Sequence, residues 1–148
     1  MKTCVTTEKE CVFCRIIKGE IPCYKVYENK NLLAFLDINP INQGHVLIVH
    51  KRHGEDITDY SDKELRLFLP VVKKLMYALR KAIEPDGFNV LINNGEISGQ
   101  SVPHLHVHII PRFPGDEKEY AIKSLFTTKK LPEKEMKLIQ ENIIKNLE

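Results

Sequence analysis

No stretch of this chain is apolar for long enough to cross a bilayer. The longest runs, such as HVLIVH ending at His50, stop after a handful of residues, against the roughly 20 that a membrane helix needs. Nor is there a strong excess of charge: 22 Lys and Arg stand against 20 Asp and Glu, a formal net charge of +2. Neither nucleic acid nor a membrane is therefore expected as a partner. The first residues, MKTCVTTEKECVF, contain no apolar h-region, so the expected location is cytoplasmic. No repeat, low-complexity tract or Pro/Gly/Ser linker divides the 148 residues, and a single domain over 1–148 is the simplest reading of that length. Cysteine is scarce and confined to Cys4, Cys11, Cys14 and Cys23. A disulfide framework is not expected of a cytosolic chain. Cys11 and Cys14 form C-x-x-C, a metal clip or a redox pair; Cys4 and Cys23 lack such spacing and read as free thiols or packing residues.

What is present is patterned. CVFCRIIKGEIP predicts a short helix stopped by Gly19 and Pro22. CYKVYENKNLLAFLDI predicts two strands around the polar turn Glu28–Asn31, and GHVLIVH a compact strand. From Ser61 the period lengthens: Leu65, Phe68, Val72, Leu75, Leu79 and Ile83 form one stripe of an amphipathic helix. Ser61 and Glu64 make a capping box at its start, and Pro70 is expected to kink it or delay it. FNVLINN after Gly87 and LHVHIIP up to Pro111 predict two further strands. Met136, Ile139, Ile143 and Leu147 predict a C-terminal amphipathic helix, its stripe against the body or against a partner chain. The expected architecture is α+β: an antiparallel sheet of about five strands carrying one long helix, with a core of about 11–112 and a tail of 113–148.

The densest chemical signal is SVPHLHVHIIPR, where His104, His106 and His108 alternate with Leu105, Val107 and Ile109. On a strand, side chains two apart share a face, roughly 6.6 Å from one to the next at about 3.3 Å rise per residue. Three readings compete: a solvated strand, a catalytic zinc held by three imidazoles, and three rings with separate tasks of structure, nucleophile and anion binding. The preceding INNGEISGQS favours the third. Gly95 and Gly99 permit tight turns, and Ser101 with backbone N–H groups can surround a phosphate. Cys11 and Cys14 offer two zinc ligands and want two more: His53, His50 or His45 for the third, and His104 for the fourth. A closed Cys2His2 site of this kind contributes on the order of 10 kcal/mol to folding. It would leave His106 and His108 for chemistry.

H-x-H-x-H followed by two apolar residues is the signature that the chain shares with the histidine-triad nucleotide-binding family. The resemblance extends through CVFCRIIKGEIP, VYENKNLLAFLDINP, GHVLIVHKRH and GFNVLINNGEISGQSVPHLHVHIIPR, roughly residues 11 to 112. It points to the branch of small nucleoside phosphoramidases and their bacterial and archaeal relatives with a C-x-x-C zinc site. Some nucleotidyltransferases of the superfamily carry Gln at the third triad place, whereas His108 is retained here. The resemblance implies an α+β fold that dimerises about a two-fold axis. It implies hydrolysis or nucleotidyl transfer at the α-phosphate of an AMP conjugate, a phosphoramidate or a dinucleoside polyphosphate. The alternative is a nucleotide-binding scaffold with little turnover. By the resemblance His106 is the nucleophile, His108 contacts phosphate oxygens, and Ser101 assists catalysis and binds phosphate with Asn93 and Gly99. Asp37 holds the ribose hydroxyls, while Phe13, Ile16, Phe35 and Ile38 match the base pocket. A structural zinc, one per chain, falls to Cys11, Cys14, His53 and His104. His50 stands where many relatives carry Pro and competes with His53. His45, at a strand start after Gly44, reads as structural.

Overall fold

Alternation across a pleated strand decides how the sheet of this protein is covered. The computed structural model describes residues 8–116 and 128–147; Cys4 lies outside them. Among those residues the order is α1 (Val12–Ile17), β1 (Lys25–Glu28), β2 (Leu32–Leu36), β3 (Val46–His50), α2 (Asp62–Leu65), α3 (Phe68–Ile83), β4 (Gly87–Ile92), β5 (His106–Arg112) and α4 (Glu133–Lys145). The strands form one antiparallel sheet in the order β1-β2-β3-β5-β4.

Register places residues in rows. Ala34, Ile48, Val107 and Ile92 lie opposite one another in succession, as do Leu36, Val46, Ile109 and Val90. Apart from Val90, which is exposed on the edge strand, these rows join the large core beneath α3 and α4. On the opposite face, Phe35, Leu47 and His108 make one row, and Leu33, Val49 and His106 another. Cys11, Phe13 and Cys14 at α1 pack on that face. Every residue of β2 and β3 is therefore buried, which is why these strands read as unbroken apolar runs.

The helices follow their signals. The Ser61 hydroxyl accepts from the Glu64 N–H at 3.3 Å, and the Glu64 carboxylate accepts from the Ser61 N–H at 2.9 Å. The turn they start, α2, is brief. Pro70 lies in the first turn of α3, where its missing N–H leaves no hydrogen bond unmade. The proline thus delays the helix rather than kinking it. Phe68, Val72, Leu75 and Leu79 are buried as the stripe requires, with Leu65 and Ile83 partly buried. In α4, Met136, Ile139 and Ile143 are buried against the body of the same chain. The Gln140 side chain also donates to the Lys25 carbonyl at 2.7 Å. Pro111 does not end β5 as expected, because β3 pairs only as far as Ile109 and, among the described residues, no strand lies beyond it on that side.

Gly44 sets the entry to β3. Its φ of +76° suits glycine, and a Cβ there would lie 2.5 Å from Ile83 Cδ1 and 3.0 Å from Leu79 Cδ2. Backbone strain and overpacking together give Gly44→Ala an expected loss of about 1–3 kcal/mol. Thermal unfolding should register this as a fall of roughly 3–10 °C. At Gly87 an added methyl meets no atom within 4 Å, so Gly87→Ala should shift stability by less than about 0.5 kcal/mol.

Candidate active site

Four side chains from three separate segments converge beside α1. Cys11 Sγ lies 3.4 Å from His104 Nδ1, and Cys14 Sγ lies 3.5 Å from the same nitrogen and 3.3 Å from His53 Nδ1. The two Nδ1 atoms are 3.3 Å apart. A tetrahedral zinc with bonds of about 2.3 Å to sulfur and 2.0 Å to nitrogen separates an S and an N by about 3.5 Å and two nitrogens by about 3.3 Å. The donors fit that figure. Their hydrogen bonding fits as well: His104 Nε2–H donates to the His50 carbonyl at 2.8 Å, which leaves Nδ1 as the lone-pair nitrogen and orients the ring from behind. Burial and the neighbouring Cys11 push the Cys14 thiol up to about 12. A divalent cation among the four reverses that preference.

The other two triad rings are committed differently. His106 Nδ1 lies 2.7 Å from the His104 carbonyl. A carbonyl only accepts, so Nδ1 carries the proton and Nε2 keeps the lone pair. Burial lowers the His106 pKa and keeps the ring neutral. Phe13 meets His106 edge-on, with centroids 5.2 Å apart.

His108 is fixed by a chain of hydrogen bonds. The Ile41 N–H donates to His45 Nδ1 at 3.1 Å. The proton of His45 therefore sits on Nε2 and is given to His108 Nδ1 at 2.9 Å. That places the proton of His108 on Nε2, a buried atom with no partner among the described residues. Burial depresses both rings, His45 to about 4 and His108 to about 3, each also disfavoured by a neighbouring histidine. Asp37, His45 and His108 are close enough to suggest a second metal group. The tautomers argue against it: both His45 nitrogens are already engaged, one by a backbone N–H and one by a proton of its own. Among the described residues, no metal-sized cluster contains all three triad histidines.

A cavity of about 390 Å³ opens beside these rings, lined by Asp37, Asn93, Gly99, Ser101 and His108 among others. Wider depressions of about 520 and 650 Å³ lie at Asp86–Asn89 with Arg112–Asp116 and along α4. Neither is lined by histidine or cysteine, so size alone does not mark the site.

Residues 18–115 match the model of the HIT domain family. The chain belongs to the HIT family. It is 52% identical over 106 residues to an uncharacterized HIT-like protein of Methanocaldococcus jannaschii, covering 72% of this chain and 81% of that one. It is 41% identical over 133 residues to the adenosine 5′-monophosphoramidase of Schizosaccharomyces pombe, covering 90% and 95%. Among solved structures, a zinc-bound histidine triad family protein from Mycobacterium smegmatis superposes with a TM-score of 0.82 at 30% identity, covering 95% of each chain.

Within this HIT protein the expected site residues fall into place unevenly. Cys11, Cys14, His53 and His104 form one cluster; Asp37, Asn93, Gly99, Ser101 and His108 line the cavity. Phe13 and Phe35 are buried in edge-to-face contact, centroids 5.5 Å apart, with Ile16 packed beside them. Ile38 is 70% exposed on the turn after β2. His50 turns to the helix side, against Tyr60 and Phe68. Three further residues bear on the site. His45, which reads as structural from its place at a strand start, shares the parity of Leu47 and Val49, and its structural task is to hold His108. Gln100 ties the loop before β5, accepting from the Gly95 N–H and donating to the Glu55 carbonyl, both at 2.6 Å. Thr128 also lines the cavity.

Two outcomes follow. Zinc analysis of purified variants should find about one ion per chain in wild type and in His50→Ala, whose ligand-orienting group is a backbone carbonyl. Cys14→Ser and His53→Ala should fall below about a fifth of that, with a large loss of thermal stability. The second outcome concerns acid. His45 and His108 have folded pKa values below their ordinary 6.5, so the unfolded chain takes up protons first as pH falls. Stability should therefore decline below pH 6.5, by up to about 1.4 kcal/mol per pH unit for each group. Urea unfolding at pH 7 and 5.5 should show a smaller decline in His108→Asn.

Proposed function

We propose that the protein hydrolyses adenylate conjugates, a phosphoramidate or a dinucleoside polyphosphate, at the α-phosphorus through a nucleotidyl-histidine on His106. The observation that carries this reading is the 2.7 Å hydrogen bond from His106 Nδ1–H to the His104 carbonyl. It leaves Nε2 as a neutral nucleophile with its orientation fixed. The S. pombe relative, an adenosine 5′-monophosphoramidase, supports the choice of substrate class.

In the first step the Nε2 lone pair forms a bond to phosphorus and the bond from phosphorus to the leaving nitrogen or oxygen breaks, a leaving nitrogen taking one proton from solvent so that it departs as the neutral amine. Positive charge then develops on the ring, and the His104 carbonyl opposite Nδ1–H stabilises it. His108 Nε2–H is the donor offered to the phosphate oxygens, joined by Ser101 and by backbone N–H groups of the loop at Gly99. In the second step water attacks phosphorus, the P–Nε2 bond breaks, and the nucleoside monophosphate leaves. Asp37 accepts from the ribose hydroxyls; Phe13, Ile16, Phe35 and Ile38 offer the apolar contact for the base. Cys11, Cys14, His53 and His104 would hold a zinc ion whose contribution would be structural, tying α1 to the residue whose carbonyl positions the nucleophile. The edge strand β4, where Val90 is 42% exposed, offers the surface for a two-fold dimer.

Adenosine 5′-phosphoramidate is the substrate to test. His106→Asn should lower kcat by at least about 1,000-fold while zinc content and AMP affinity stay near wild type. If more than a tenth of the activity survives, the nucleophile is another group. If wild type binds AMP and turns over no conjugate, the protein is a nucleotide-binding scaffold.

A further inference from the structure

We propose that Thr128 and Lys129 complete the ribose end of the nucleotide site, Thr128 as a substrate-contacting hydroxyl and Lys129 as the residue that positions it. This rests on the hydrolase reading above and deepens it. Of the described residues lining the cavity, Thr128 alone lies outside the segment that matches the family.

Its place is held by its neighbour. The Lys129 N–H donates to the Pro40 carbonyl, and Lys129 Nζ donates to Asn42 Oδ1 at 2.6 Å. Asn42 is 3% exposed, and its orientation is determined. Its Nδ2 donates to the Pro111 carbonyl at 3.1 Å and to Asp116 Oδ2 at 2.7 Å. Both amide hydrogens are thus used on acceptors, and the oxygen is left for the ammonium, a charge-assisted pairing. Two bonds therefore fasten Thr128–Lys129 across the turn that begins at Asp37 and ends at His45. The cavity residues Asn39 and Ile41 flank Pro40 on that turn, so Thr128 belongs to the same end of the cavity as Asp37.

The chemistry there is complementary. A vicinal diol carries two donors and several lone pairs. An ionised carboxylate accepts only, so Asp37 can take the hydroxyl protons but offers nothing to the lone pairs. A threonine hydroxyl supplies the missing donor. The ligand recognised is a ribose with both hydroxyls present.

The test compares adenosine 5′-phosphoramidate with its 2′-deoxy and 3′-deoxy analogues on the full chain. Thr128→Val should raise KM for the ribonucleotide about fivefold, the worth of one neutral hydrogen bond, with kcat within about twofold. The preference for ribose over at least one deoxyribose should shrink by the same factor. Thr128→Ser should restore both. Lys129→Met should raise KM and leave kcat in the same way, and Lys129→Arg should recover part of the loss. A Thr128→Val enzyme whose ribose preference stays within about twofold of wild type overturns the proposal. Should wild type turn over no phosphoramidate, the hydrolase reading fails by itself; calorimetry of AMP and 2′-deoxy-AMP on wild type and Thr128→Val then decides the role of Thr128, an unchanged affinity difference counting against it.

Discussion

The hydrogen bond from His106 to the carbonyl of His104 joins the two halves of this site. It does so because His104 is itself held from two sides. One ring nitrogen donates to the His50 carbonyl, on β3; the other faces two sulfurs and His53. The orientation of the proposed nucleophile is thus inherited from a residue tied to the central strand of the sheet and to α1. A zinc at the Cys2His2 cluster would stiffen that residue without approaching the phosphorus, which separates the structural ion from the chemistry it supports.

Burial then sets the protonation states that the hydrogen bonds distribute. His45, His104, His106 and His108 all have depressed pKa values, burial being the largest cause in each. Four neutral imidazoles offer four N–H groups and four lone pairs. The pairings assign them consistently, so that a lone pair remains on His106 and a proton on His108. A single ion clasped by the whole triad is incompatible with that assignment. His104 turns its lone pair to the thiols, and His106 spends its Nδ1 proton on a backbone carbonyl. The spacing of the motif allows three tasks because each ring is claimed by a different neighbour.

Much of this was legible in the chain, and what was missed has a common cause. The alternation around His106 was visible as strand, although His104 itself lies in the bend before β5, where a ligand can leave the pleat. The competition between His50 and His53 could have been settled by parity. His50 follows Val46 and Ile48 onto the helix side and packs there against Tyr60 and Phe68, while His53 sits in the turn beyond the strand. The same parity would have placed His45 with Leu47 and Val49 on the site face. Its partner, His108, is 63 residues away, and no local pattern announces such a contact. Thr128 and Lys129 were invisible for the same reason: their meaning depends on Asn42, 87 residues before Lys129.

The two faces of one sheet thereby divide the protein's labour. The helix side is closed by α3 and α4 and is almost wholly apolar, so it fixes where the strands lie. On the other side the same strands present Leu33, Phe35, Leu47 and Val49 as a dry floor under α1, and His106 and His108 extend those rows across β5. A polar ring at the margin of such a floor loses water on one side and keeps a cavity on the other. That position depresses its pKa while leaving an approach for a ligand. Function here needs no departure from the strand pattern of β5: replacing alternate apolar residues by histidine, at the strand where the floor meets the cavity, is sufficient to turn a packing row into a row of donors and acceptors.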